Sequence, residues 1–230
     1  MHVITLDGPG KNSLGTKLMS SLLAELRAHP GEPILLTGAG DAFSAGLNLI
    51  EVASLDPVGM RVFLELLDSV VAELYHHDAP TVAWVNGHAI AGGCVLALAC
   101  DRRVGAPAAR ARIGLNEIAL GLVFPPEILE IMTRQIRRES WTTVLLEAGL
   151  HSPHRALELG LLDSLGDLAA AEKALRALAQ HPNHAFASAK RSLRPPTAPS
   201  DADRERFFGH AVQAWTSPEL KARLLAVLER

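Results

Sequence analysis

Short apolar runs and longer amphipathic stretches alternate along the first half of this 230-residue chain. "HVITL" predicts a strand, and "DGPGKNSLG" after it is turn chemistry that ends in a helix start. From Gly15 to Ala28 the apolar residues Leu18, Leu22, Leu23 and Leu26 recur at helical spacing, and "PILLT", closed by "GAGD", predicts a buried strand. Pro57 to Tyr75 predicts a second amphipathic helix, and "PTVAWVNG" a second strand with a glycine stop. "AIAGGCVLALACD" is almost wholly apolar, and the small residues Ala91, Gly92 and Gly93 at its start let the helix it predicts pack very close to its neighbours. "RRVGA" and "ARIG" predict two short strands with a turn between them. Such alternation of strand and helix is the pattern of an α/β domain.

Beyond Pro125 the pattern turns helical: "PEILEIMTRQI", "SWTTVLLEAG", "SPHRALELG" with Ser152 as N-cap, "DLAAAEKALRALAQ" and "NHAFASAKRSL". "RPPTAPSD", from Arg194 to Asp201, reads as a linker. It divides a core over residues 1–193 from a helical region over 194–230. Phe207, Phe208 and Trp215 in that last region, with Trp141 earlier, look exposed and predict self-association.

Composition narrows the partners. With 22 basic and 25 acidic residues the net charge is -3, which gives no strong electrostatic case for nucleic acid or an anionic membrane. Two cysteines, Cys94 and Cys100, match neither a CxxC pair nor a disulfide framework, so a reducing, cytoplasmic setting is expected. "MHVITLDG" has neither a signal nor a transit pattern, and no apolar run reaches the ~18 residues that span a bilayer.

"LTGAGDAFSAGLNL", Leu36 to Leu49, admits three readings. As a dinucleotide fingerprint it supplies Gly38 and Gly40, but Phe43 stands at the sixth position, where close helix packing demands glycine. As a hydrolase elbow it offers "AFSAG", but no strand runs directly into Ser44, so a surface-loop serine is expected. The third reading is a loop whose backbone N–H groups face a ligand oxygen, with Ala45 and Gly46 small enough for close approach. "NGHAIAGGC" strengthens it, because its second glycine pair opens a helix, where N–H groups are unpaired and the dipole is positive. Two donor sites stripped of bulk suggest an oxyanion hole.

"FSAGLNL" (43–49), "VNGHAIAGGC" (85–94), "LACD" (98–101) and "IGLNEIALGLV" (113–123) resemble the crotonase superfamily of acyl-CoA enzymes, and within it the mitochondrial-type Δ3,Δ2-enoyl-CoA isomerases. The resemblance covers nearly the whole chain. It implies a right-handed α/β superhelix of repeated ββα turns, a helical C-terminal oligomerisation region, and a homotrimer or homohexamer. It implies that the N–H groups of Leu47 and Gly92 bind the thioester oxygen and that Glu117 is the acid/base, with Ala45, Gly46, Asn48, Leu49, Gly93 and Asn116 forming the binding surface. No cofactor or metal is expected, since coenzyme A arrives as part of the substrate. Hydratases of the family use two glutamates; the first position is Val95 here and the second is Glu117. A third acid of some relatives falls near Pro125 or Pro126.

Moving a double bond asks only for removal of a proton from C2 and its return at C4, which one carboxylate can do. Adding water asks for more. The implied activity is isomerisation of 3-enoyl-CoA to 2-trans-enoyl-CoA, as in oxidation of unsaturated fatty acids; a hydratase, a hydrolase and a non-catalytic acyl-CoA binder are the alternatives. Among Ile113, Leu115, Ile118 and Leu120, Glu117 is expected to have its pKa raised by desolvation. Pocket width is expected to depend on Leu49, a loop from Glu51 to Pro57, and Phe124.

Asn48 stands where the isomerase loop usually carries Asp, with a possible effect on loop capping or CoA placement. The chain leaves little room for the family's usual first strand, so a slightly open sheet edge is expected. Asp101 reads as a structural hydrogen-bonding group, His88 as packing with the acyl path as the alternative, and the pairs His151/His154 and His181/His184 as surface histidines. Lys190 and Arg191 read as a solvated face, with CoA phosphate contact as the alternative.

Overall fold

A computed structural model describes residues 1–108, 110–196 and 200–228. Strands β1 (His2–Leu6), β2 (Ile34–Gly38), β4 (Thr81–Val85), β6 (Arg102–Gly105) and β8 (Ser164–Leu165) form a parallel sheet in the order β1-β2-β4-β6-β8. Every residue of β2 is buried, as its unbroken apolar run demands of a strand covered on both faces. Leu35 joins Val82, Val104, Ala171 and Leu175 under helix α9 (Leu168–Ala179), whereas Ile34 and Leu36 point into the main core on the opposite face. Among the described residues β1 pairs only with β2, which leaves that edge of the sheet open.

Short strands β3 (Ala42–Ser44), β5 (His88–Ile90) and β7 (Ile113–Gly114) form a second parallel sheet. Each long strand β2, β4 and β6 thus runs into a short one in the other sheet. "RRVGA" and "ARIG" are therefore not neighbours across a turn: β6 lies in the first sheet and β7 in the second. The turns stack. Asn86 donates to the carbonyls of Gly38 (2.9 Å) and Gly40 (3.0 Å), and a side chain at Gly87 would overlap the Asp41 carbonyl. The ends of β3, β5 and β7 are consequently held side by side.

Helices α2 (Thr16–Ala28) and α4 (Pro57–Tyr75) pack on the core, and α5 (Gly92–Ala99) is buried at every residue. The helical second half contains α7 (Pro126–Gln135), α8 (Pro153–Leu159), capped by Ser152 as expected, and α10 (Asn183–Leu193). "SWTTVLLEAG" is helical but not an α-helix: a 3-10 turn over Arg138–Ser140 precedes a π-helical turn over Thr142–Leu146.

The chain ends in α11 (Asp201–Trp215) and α12 (Pro218–Leu228). The expectation of exposed aromatics there is overturned. Phe208 and Trp215 are 3% and 2% exposed within their own chain, and Phe207 and Trp141 pack against the same core. Of the linker from Arg194 to Asp201, residues 197–199 lie outside the described residues.

Lys190 also departs from the reading of a solvated face. It is buried, and its Nζ lies 3.0 Å from Asp101, which Arg194 approaches at 3.0 Å from the other side. Asp101 accepts from the Thr81 amide as well, which makes it the structural hub expected of it. Arg191 is exposed and pairs with Asp78. Among the described residues no helix is long and apolar enough to cross a membrane.

Candidate active site

The Ala45–Leu49 loop is shaped from below by a left-handed turn, α1 (Pro9–Asn12), in which Gly10, Lys11 and Asn12 take positive φ. Asn12 is buried there, and its side-chain amide donates to the carbonyls of Ala39 and Ala42 at 2.9 Å each. Ser44 Oγ donates to Asn12 O at 2.8 Å and accepts from the Gly46 amide at 3.2 Å. Ser44 is thus a fully buried strand residue and not a surface-loop serine. Its hydroxyl is committed to holding the loop.

Leu14 then bridges the loop in parallel fashion. Its amide donates to Gly46 O (2.7 Å) and its carbonyl accepts from Asn48 N (3.0 Å). In such a bridge the flanked residue presents its own N–H to the opposite side, so the Leu47 amide faces away from Leu14. Among the described residues that amide donates to no acceptor.

The second donor comes from α5. Ala91 precedes it at φ 48 and ψ -122, a conformation alanine rarely adopts, fixed by its amide donating to Gly114 O (2.9 Å) and its carbonyl accepting from Val95 N (2.9 Å). Gly92 is the first helical residue, so its N–H has no partner within the helix. The two donor segments touch: a Cβ on Gly46, which sits at φ +90, would lie 2.7 Å from Ile90 O and 3.5 Å from the Gly92 nitrogen. Gly93 has a different reason to be small, since a Cβ there would come within 2.5 Å of Ser44 O.

Leu47 and Gly92 line an apolar cavity of about 260 Å³, together with Ala45, Leu49, Asn116 and Glu117. β7 runs through Leu115 and Asn116 into Glu117, which opens the short helix α6 (Glu117–Leu120). Glu117 is the one ionisable side chain among the described residues that line the cavity. Its Oε2 is buried without a hydrogen-bond partner, and burial pushes its pKa up to about 8. The apolar setting differs in detail from the expected one. Ile118 is 46% exposed, and Ile113 and Leu115 lie in the core; of the four expected residues Leu120 shares the cavity wall with Glu117, joined by Val95, Leu122 and Phe124.

Sequence reasoning missed the far wall, formed by Leu67, Ile128 and Leu150 with Trp215 and Val227 of the last two helices. Trp215 lies 98 residues beyond Glu117, and no local pattern announces such a contact. The expected loop from Glu51 to Pro57 lines none of the cavity. Residues 51–54 instead continue helix α3 (Leu49–Ser54), and only Leu49 and Phe124 of the three expected width-setting features reach the wall.

Asn48 also lies off the cavity. It caps α3, its Oδ1 accepting from Glu51 N at 3.2 Å. Replacing Asn48 with Ala is expected to lower stability by about 1 kcal/mol, read as an earlier midpoint in urea unfolding with an unchanged slope. His88 is likewise outside the cavity, accepting from Arg112 N at 3.2 Å.

The chain is similar to known proteins over most of its length. The family model for enoyl-CoA hydratase/isomerase matches residues 1–213. Human mitochondrial enoyl-CoA delta isomerase 1 is 30% identical over 219 residues, covering 89% of this chain and 72% of that enzyme. Among solved structures, human mitochondrial delta3-delta2-enoyl-CoA isomerase superposes with a TM-score of 0.85 at 27% identity, over 99% of this chain and 92% of the other. An enoyl-CoA hydratase from Bacillus halodurans superposes with a TM-score of 0.84 at 30% identity, over 97% and 95%. The fold is the crotonase-type α/β fold with two parallel sheets and C-terminal helices. The likeness to a hydratase is as strong as that to an isomerase.

Proposed function

This chain belongs to the enoyl-CoA hydratase/isomerase family of acyl-CoA enzymes, and within it we propose that it is an isomerase, moving the double bond of a 3-enoyl-CoA to the 2-trans position. The observation that carries this reading is that Glu117 is the one carboxylate among the described residues of the cavity wall. Val95, where hydratases of the family bring a second acid, is an apolar wall residue, so among those residues Glu117 alone offers a carboxylate as proton acceptor.

In the proposed reaction the thioester carbonyl accepts hydrogen bonds from the Leu47 and Gly92 amides. These stabilise the enolate that forms when Glu117 takes a proton from C2, each such donor contributing about 2.7 to 4 kcal/mol in comparable oxyanion holes. The protonated carboxyl then returns its proton to C4, and the enolate collapses to the conjugated thioester. Electrons and protons balance without water or a cofactor. A base near 8 removes an α-proton more readily than one in the ordinary carboxylate range, and the apolar walls that raise it also keep water from the dienolate. Ala45, Gly46 and Gly93 serve by being small, while Leu49 and Asn116 contact the acyl thioester. Self-association as a trimer or a dimer of trimers, a cytoplasmic location and a role in oxidation of unsaturated fatty acids belong to the same proposal, as does a division into a core over 1–193 and a helical region over 194–230.

A paired assay tests it. The purified chain is given 3-hexenoyl-CoA and, separately, crotonyl-CoA, with conjugated product and water addition followed independently. Isomerisation of the first with little hydration of the second is expected. Faster hydration of crotonyl-CoA than isomerisation of 3-hexenoyl-CoA would move the assignment to the hydratases.

A further inference from the structure

Away from the acyl cavity, three side chains with metal-ligating atoms cluster. His2 stands at the start of edge strand β1, and Glu25 and His29 lie at the end of α2. The two imidazoles stack with centroids 3.7 Å apart and planes 19° from parallel, so the His2 ring has to turn about its side-chain bonds before both nitrogens face one ion. His2 Nε2 is 2.9 Å from Glu25 Oε2, and His29 Nε2 is 3.8 Å from the same oxygen. The three donor atoms all lie within 4.8 Å of one another.

His29 Nδ1 is 3.0 Å from Glu32 Oε1, so one ring nitrogen is held by that carboxylate and Nε2 is the one on the side of Glu25. Zinc bonds to nitrogen and carboxylate oxygen of about 2.0–2.2 Å place neighbouring ligand atoms of a tetrahedron about 3.3–3.6 Å apart. The observed separations of 2.9 and 3.8 Å fall on either side of that edge length.

We propose that His2 Nε2, Glu25 Oε2 and His29 Nε2 form a binding site for a divalent cation of the zinc class, with Glu32 orienting His29 and a fourth position open to water. Imidazole nitrogen with one carboxylate suits such a borderline ion and not magnesium or calcium, which favour oxygen. Glu32 supplies the outer carboxylate-to-histidine bond that fixes the tautomer in metal sites. The ion would tie the open edge strand to the helix above it. Because it replaces the proton that His2 Nε2 gives to Glu25, protons compete with it and binding weakens in acid.

The test uses the full chain without any affinity tag, stripped with a chelator and titrated with zinc sulfate by calorimetry at pH 7.5 and 6.0. One saturable zinc per chain is expected, weaker at the lower pH. His29→Ala abolishes it, Glu25→Gln weakens it at least about ten-fold, and Glu32→Gln weakens it by about ten- to a hundred-fold. Zinc at a hundred times its Kd raises the melting temperature by roughly 5 to 10 °C in the wild type and not in His29→Ala. Metal-free melting of the three variants, all altered at surface positions, shows whether each is folded. Absence of saturable binding overturns the proposal, and so does zinc binding that His29→Ala and Glu25→Gln leave unchanged, as it would if the ion sat at His151 and His154 or at His181 and His184.

Discussion

Replacing Glu117 with Gln is expected to lower kcat for isomerisation of 3-hexenoyl-CoA by about 10³-fold while acyl-CoA affinity changes little. Gln is nearly isosteric with Glu and leaves the apolar walls and the two amide donors in place, so only the proton acceptor is lost. Stopped assays for conjugated product, paired with calorimetric binding of a saturated acyl-CoA, separate the two effects. A variant that retained most of its activity would show that Glu117 is not the base.

The same residue sets a pH dependence whose sign is fixed. Burial raises its folded pKa to about 8, well above the 4.5 ordinary for a glutamate. Catalysis requires the ionised form, so kcat/KM of the wild type rises with pH and levels off above about 8. Stability moves the other way. Between pH 4.5 and 8 the folded chain holds a proton that the unfolded chain has released, so folding is progressively weakened as pH rises through that window. Glu117→Gln should therefore melt higher than the wild type at pH 9, by an amount on the order of a few kcal/mol, and match it near pH 4. Scanning calorimetry at the two pH values measures this. The base that makes the site reactive is also a source of instability in the unliganded protein, a common trade at catalytic positions.

The second large effect is expected at Gly46. An alanine there meets two obstacles: φ +90 lies outside the range that L-residues occupy easily, and the new Cβ falls 2.7 Å from Ile90 O. Relief requires the Ala45–Leu47 loop and the Ala91–Gly92 turn to separate, which spreads the two amides that are proposed to share one oxygen. Loss of one well-placed donor lowers kcat by about 10² to 10³-fold in other oxyanion holes, and a similar fall is expected for Gly46→Ala, with about 1–3 kcal/mol less stability from backbone strain. Glu117→Gln and Gly46→Ala differ in a second readout. Only the Gly46 variant should weaken binding of an enolate-mimicking CoA ligand by a comparable factor, because only it damages the donors. Equal kinetics for Gly46→Ala and wild type would separate the oxyanion role from this loop.

The long elements were legible because their signals are local. The helix predicted over Pro57 to Tyr75 is found with those bounds, since nineteen residues leave no doubt about period. The strands β3, β5 and β7 were not read as a sheet, because two or three residues carry no periodicity and their pairing is decided by the turns at Gly38 and Gly87. Ser44 was misplaced for the same reason: its burial follows from Asn12 in a left-handed turn thirty-two positions earlier. Phe208 and Trp215 looked available to a partner because a sequence shows that a face is apolar and not which surface covers it. In the site itself, Leu47, Gly92 and Glu117 belong to three quotable motifs and line one cavity, whereas its far wall could come only from the fold.

That wall ties the end of the described chain to the chemistry near its middle. The loop, the helix start and the carboxylate all lie before residue 118, yet Trp215, 98 residues beyond Glu117, and Val227 help to close the cavity they share. Undocking α11 and α12 would let water in, and Glu117 would return toward an ordinary carboxylate, because burial is what raises its pKa. The basicity of Glu117 is thus a property of helices packed from far along the chain as much as of the segment that carries it.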